Sequence, residues 1–154
     1  MSKATLNTLE ALNQATYGIS LNRPAAVFTG ASATPIFNVV GGRVAVRSIV
    51  GQITVAASGA TNISLQSNPT VGTTSLMCAV LAAAGLEVAT LLTINGDIGT
   101  AMWGVNAGAA EGQVQDSILP VGQIEFVLSG VQTISVSWIV NYVPIDTGAY
   151  LTVV

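Results

Sequence analysis

Hydrophobic and polar positions alternate most regularly late in the chain. Ile134, Val136, Trp138, Val140 and Tyr142 share one parity, and Thr133, Ser135, Ser137 and Asn141 take the other, with Ile139 alone out of step. A period of two over this length predicts a strand with one buried and one polar face. Ile124, Phe126 and Leu128 alternate with Glu125, Val127 and Ser129, and Ser129-Gly130 is read as a hairpin joining the two runs. Earlier, Ile36–Val40 runs into the turn signal Gly41-Gly42. Val44 and Val46 then alternate with Arg43, Ala45 and Arg47, Ile53 and Val55 continue after Gly51, and Ile63 and Leu65 alternate with their neighbours. Asn68-Pro69, Asn95-Gly96 and Asp146-Thr147-Gly148 read as turns, Asn95-Gly96 as a hairpin, and Tyr150–Val154 as a final edge strand. The pattern Gly-Gln-Ile/Val at Gly51, Gly112 and Gly122 reads as three similar strand starts. Many short strands with frequent turns predict an all-β fold, an antiparallel β-sandwich or jelly roll.

Residues 1–24 differ. Leu6, Leu9 and Leu12 recur every three residues between polar positions, and Asn22-Arg23-Pro24 punctuates the end of the segment. This reads as an N-terminal arm over 1–24, a short helix or an extended segment, ahead of a β-sandwich domain over 25–154.

Composition changes the picture in two ways. Hydrophobic residues make up 51% and charged residues only 7%, against roughly 25% charged in an average soluble protein. Mean hydropathy is +0.67. The most apolar window, Leu76–Ile94, is long enough to span a bilayer, roughly 20 residues. It carries Glu87 near its centre, however, and no Lys or Arg flanks it. A central charge costs about 2.5–3.5 kcal/mol on insertion. The window therefore reads as buried strands, or a strand and a short helical turn, hinged at Ala83-Ala84-Gly85, and no membrane contact is expected. The first residues lack an apolar secretory core.

The charges are also sorted. Lys3, Arg23, Arg43 and Arg47 are all the basic residues, and six of the seven acids lie beyond residue 47. This suggests an arm-bearing basic end that docks on an acidic surface. Four basic residues and a pI of 4.4 argue against nucleic acid as a partner. With no histidine, imidazole acid–base chemistry, His-containing triads and zinc–His sites are excluded. Cys78, the only cysteine, sits among Leu76, Met77, Ala79 and Val80 and reads as a buried apolar thiol. The seven acids, Glu10, Glu87, Asp97, Glu111, Asp116, Glu125 and Asp146, are scattered without a dyad spacing. Asn95-Gly96-Asp97 lacks the spacing and distal Glu of a calcium loop. The glycine-rich stretch 99–112 has no lysine to reach a phosphate, and reads as an ordered surface loop. Trp103 within it reads either as satellite core or as an interface anchor. No catalytic, metal or cofactor residues are expected. A surface this poor in charge suits burial in an assembly.

The ordered set GGRVAVRSIVGQIT (41–54), NPTVGTTSLMCAVL (68–81), TINGDIGTAMWGVNAGAAEGQ (93–113) and LPVGQIEFVLSGVQTISVSWIVNYVPIDTGA (119–149) resembles small virion structural proteins of tailed bacteriophages. The resemblance covers most of the chain after about residue 35. It implies a capsid decoration, or cement, protein: a β-sandwich, commonly a homotrimer, bound outside the shell, with the major capsid protein or another virion protein as partner and no active site. The expected location is the virion. The expected interface residues are Leu6, Leu9, Leu12, Arg23 and Trp103. The competing expectation is a receptor- or carbohydrate-binding β-module of a tail, fibre or cell-surface adhesin, with Trp103 and Tyr150 as its exposed aromatics.

Overall fold

The computed structural model describes residues 3–106 and 108–154, with side chains described from Thr8 onward. One helix, α1 (Lys3–Tyr17), precedes the strands β1 (Ile19–Thr29), β2 (Ser32–Val40), β3 (Val44–Val55), β4 (Asn62–Pro69), β5 (Ser75–Leu76), β6 (Leu81–Ala82), β7 (Leu91–Thr93), β8 (Trp103–Gly104), β9 (Ser117–Leu119), β10 (Gly122–Leu128), β11 (Thr133–Pro144) and β12 (Tyr150–Val153). They form two antiparallel sheets, one ordered β1-β11-β3-β7-β8 and the other β12-β2-β10-β4-β5, with β9 added beside β3 and β6 beside β4.

The pairing is nested. β1 pairs with β11, β2 with β10, β3 with β7 and β4 with β5. The first half of the chain thus runs back along the second as a double ribbon, rolled into two facing sheets. That is the jelly-roll form of the β-sandwich, as the alternation predicts. Alternating side chains from both sheets fill the space between them. Ile134, Val136, Trp138, Val140 and Tyr142 of β11 are buried, as are Ile124, Phe126 and Leu128 of β10. Three rings stack edge to face through the centre, Phe28 to Phe126 at 4.9 Å and Phe126 to Trp138 at 5.2 Å between centroids. The main chain of Gly51 lies opposite Trp138 in register, and a Cβ there would come within 2.7 Å of the indole. Cys78 is buried, which pushes its thiol pKa up.

Several turns act differently from the local reading. Ser129-Gly130 is not a hairpin, because β10 and β11 lie in different sheets and the turn crosses the sandwich. The reversals at Gly41-Gly42 and Asp146-Thr147-Gly148 cross it too. Asn95-Gly96 does not form a tight hairpin: β7 and β8 do pair, but through the longer segment 94–102. Gly51 lies inside β3 and Gly112 in a loop, so of the three Gly-Gln motifs only Gly122 begins a strand. Asn68 and Pro69 belong to β4. The window 76–94 holds two short strands, turns and part of β5, and no helix of the described residues is long and apolar enough to cross a membrane.

β1 begins at Ile19 rather than after Pro24, so the sheet takes in six residues that the sequence pattern assigns to the arm. The punctuation at Arg23-Pro24 marks a β-bulge: register with β11 shifts between Arg23 and Ala26. Proline has no N–H to give to a ladder and is tolerated at such a position of an edge strand.

Candidate interaction surface

α1 stands apart from the core. Every side chain described in it, from Thr8 to Tyr17, is exposed. Leu9 is 46% and Leu12 61% exposed, and the side chain of Leu6 lies outside the described residues. Its C-terminal end is attached to the body. Gly18 donates its N–H to the Gln14 carbonyl at 2.9 Å, in a left-handed conformation (φ 81°) that closes the helix. A side chain at Gly18 would also collide with Asn141, whose amide donates to the Tyr17 carbonyl at 3.1 Å. No basic residue sits in the last turn. Arg47 of β3 supplies that charge from outside, donating to the carbonyls of Thr16 at 2.8 Å and Ala15 at 3.2 Å. A cation there satisfies otherwise unpaired carbonyls and opposes the negative end of the helix dipole. Arg47 also lies 4.0 Å from Asp116.

The arginines therefore do not make a basic docking face. Arg43 grips Asp146 through Nε at 2.9 Å and Nη2 at 2.8 Å, while its backbone N–H donates to the same carboxylate at 2.7 Å. The side-chain hydrogen bonds from Arg43 hold the Asp146 pKa down to about 2, and the pair clips the β2–β3 turn to the β11–β12 turn. Arg23, one of the expected interface residues, is buried within the chain at 8% exposure. Its Nε donates to the Val154 carbonyl at 3.3 Å, and its guanidinium lies 5.2 Å from the Phe28 ring centroid. Arg23 thereby ties the edge strand of one sheet to the end of β12 in the other. Burial lowers its pKa.

Trp103 lies in β8 at the outer edge of its sheet and is 40% exposed. It borders a hollow of about 160 Å³ with Thr93, Thr100 and Glu111. The surrounding segment is ordered by side chain to main chain bonds. Thr93 donates to the Glu111 carbonyl at 2.8 Å, Asn106 to the Gly85 carbonyl at 2.8 Å, and Gln113 to the Val46 carbonyl at 3.0 Å.

A larger cleft, about 410 Å³, opens where the free edges of the two sheets face each other, between β5 and β9. Met77 and Leu119 are buried beneath it, and Leu76, Ile98 and Ile118 stand exposed along its walls. Asp116 lies at its margin. The alternation pattern could not find this cleft, because it arises between strands from opposite sheets.

One further polar cluster escapes the alternation pattern. Glu125 faces outward on β10, yet is buried at 5% exposure. Gln66 donates to its carboxylate at 2.5 Å and Asn68 at 2.9 Å, and Thr74 in turn donates to Asn68 at 3.0 Å. Amide donors from the neighbouring strand satisfy an acid that has no cation beside it. Among the described residues no three His, Cys, Asp or Glu side chains converge as metal ligands. Compared with protein-family models and with curated proteins, the chain matches none.

Proposed function

We propose that this protein is a non-enzymatic structural component of a phage virion, a capsid decoration protein that binds the outside of the shell as a homotrimer and is made in the host cytoplasm. The observation that carries the reading is α1, a helix whose described side chains, Leu9 and Leu12 among them, are all exposed, rooted by hydrogen bonds on a jelly-roll body. A 15-residue helix is marginal alone in water, since packing of one face supplies most helical stability. A helix left uncovered on its own body is therefore built to be covered in an assembly. Jelly rolls recur in viral capsid and lectin domains, which supports the class by analogy only. The near absence of surface charge supports it independently, because a surface of Ser, Thr, Asn, Gln and aliphatic groups suits contact with other subunits. Stabilisation would be mechanical: α1 and the 99–112 segment bridge neighbouring subunits and resist expansion of the shell.

Electron microscopy of intact particles from the source phage, with the protein labelled, tests this. Density on the shell exterior is the expected result, and particles that lack the protein refute it. The half-exposed aromatics Trp103 and Tyr150 support a second reading, a receptor- or carbohydrate-binding module. That reading requires glycan-array binding that Trp103→Ala abolishes.

A further inference from the structure

Two unmatched surfaces on this chain complement each other. One is α1, with Leu9 and Leu12 exposed. Its N-terminal end is electropositive on three counts: the dipole points its positive pole there, the first turn holds no acid, and Lys3 is the only charged residue before Glu10. The other is the cleft between β5 and β9, with an apolar floor of Met77 and Leu119 and apolar walls of Leu76, Ile98 and Ile118. Asp116 lines it and Asp97 lies between its lining residues Gly96 and Ile98, and the chain beyond Arg47 has no basic residue. A helix with two exposed leucines and a positive leading end thus complements an apolar cleft that has Asp116 in its wall and Asp97 between two of its lining residues. Within one chain the two do not meet, because the described side chains of α1 are all exposed.

We propose that α1 of one chain lies in the β5–β9 cleft of a second copy, in a head-to-tail contact. The helix is about 22 Å long and is rooted beside Asp116 through Arg47. Each copy therefore offers a helix and a cleft at neighbouring places, and a series of such contacts closes a ring when the rotation between copies closes. Leu9 and Leu12 enter the cleft, and Asp97 and Asp116 face the electropositive end. Complementary potentials of this kind fix partner and register. The contact belongs to the free protein and holds whether or not the decoration reading is right.

The test uses the full chain. Light scattering should give the wild type a mass that is a multiple of 15.6 kDa, and Leu12→Asp should return it to a single chain with the β-sheet circular dichroism unchanged. In a second arm, Leu9→Cys and Ile118→Cys are combined, both at exposed positions, and oxidised mildly. Covalently linked multimers that need both cysteines support the proposal. A monomeric wild type overturns it. So does a cross-link within one chain, which would mean that the helix folds back on its own body. So does multimer formation by Leu9→Cys alone, which would mean that helices pair with helices, and so does the absence of any cross-link.

Discussion

Gly51→Ala tests the packing at the centre of the sandwich. The new Cβ would stand 2.7 Å from Cζ3 and 2.9 Å from both Cε3 and Cη2 of Trp138, whereas carbon atoms rest comfortably at about 3.5–4.0 Å. The indole must therefore retreat by roughly 0.8 Å on that contact scale. It has nowhere to go. Trp138 is 1% exposed, its ring packs edge to face on Phe126 at 5.2 Å, and Phe126 meets Phe28 at 4.9 Å, with all three rings buried. Overpacking of a filled core costs about 1–3 kcal/mol. Loss of glycine's freedom in the unfolded chain returns about 0.4–1 kcal/mol. The net expectation is a loss of about 1–2 kcal/mol, or a fall in Tm of roughly 2–8 °C for a chain of this size. Denaturant titration at one fixed protein concentration, followed by the β-sheet circular dichroism signal so that variants with and without Trp138 are read by the same probe, measures it. Trp138→Phe should rescue Gly51→Ala, because a smaller ring leaves room for the methyl. A Gly51→Ala protein as stable as the wild type would refute the packing argument, and so would failure of the smaller ring to rescue it.

Other perturbations follow from single contacts. The Asp146 pKa is depressed to about 2 from 3.8, so the Arg43–Asp146 clip contributes above the unfolded value and is lost as pH falls from about 4 towards 2. Denaturation midpoints of the wild type and Asp146→Asn should differ at neutral pH and converge over that interval. Arg47→Ala removes the donors to the Ala15 and Thr16 carbonyls and should cost α1 about 0.3–1 kcal/mol, read as reduced helical circular dichroism with the sheet signal intact. Ala89 holds a left-handed conformation at φ 72°, which costs a non-glycine residue about 1–2 kcal/mol. Ala89→Gly should therefore be at least as stable as the wild type in thermal melts.

The inward face of β11 was legible because every inward residue is apolar and the strand is long, and even its exception agrees: Ile139 is 46% exposed. The final edge strand at β12 was legible for another reason, the turn at Asp146-Thr147-Gly148 that sets it off from β11. What could not be read were partners. Ser129-Gly130 and Gly41-Gly42 announce a reversal, but the same residue types serve a turn within a sheet and a turn between sheets. The choice between them is made by strands far away in sequence. The burial of Arg23 has the same origin, since its acceptor is Val154 at the other end of the chain. Glu125 reads as a solvent position until Gln66 and Asn68 are seen to close over it. The candidate surface was half legible. The leucines of α1 were visible as a repeat, whereas the cleft needs two sheet edges brought together.

The nested ribbon also sets an order of events. Its innermost pair, β4 with β5, joins residues only ten apart at Gln66 and Leu76, while the contact of Tyr17 with Asn141 spans 124 residues. Short loops close first and long ones later. On a ribosome, β1 emerges long before β11 exists to receive it. α1 is thus made long before Asn141 exists to hold it, and until then Arg47, some thirty residues on, is its nearer anchor. During that interval the helix is tethered but not fully placed, and neighbouring chains made from the same message meet it in that state.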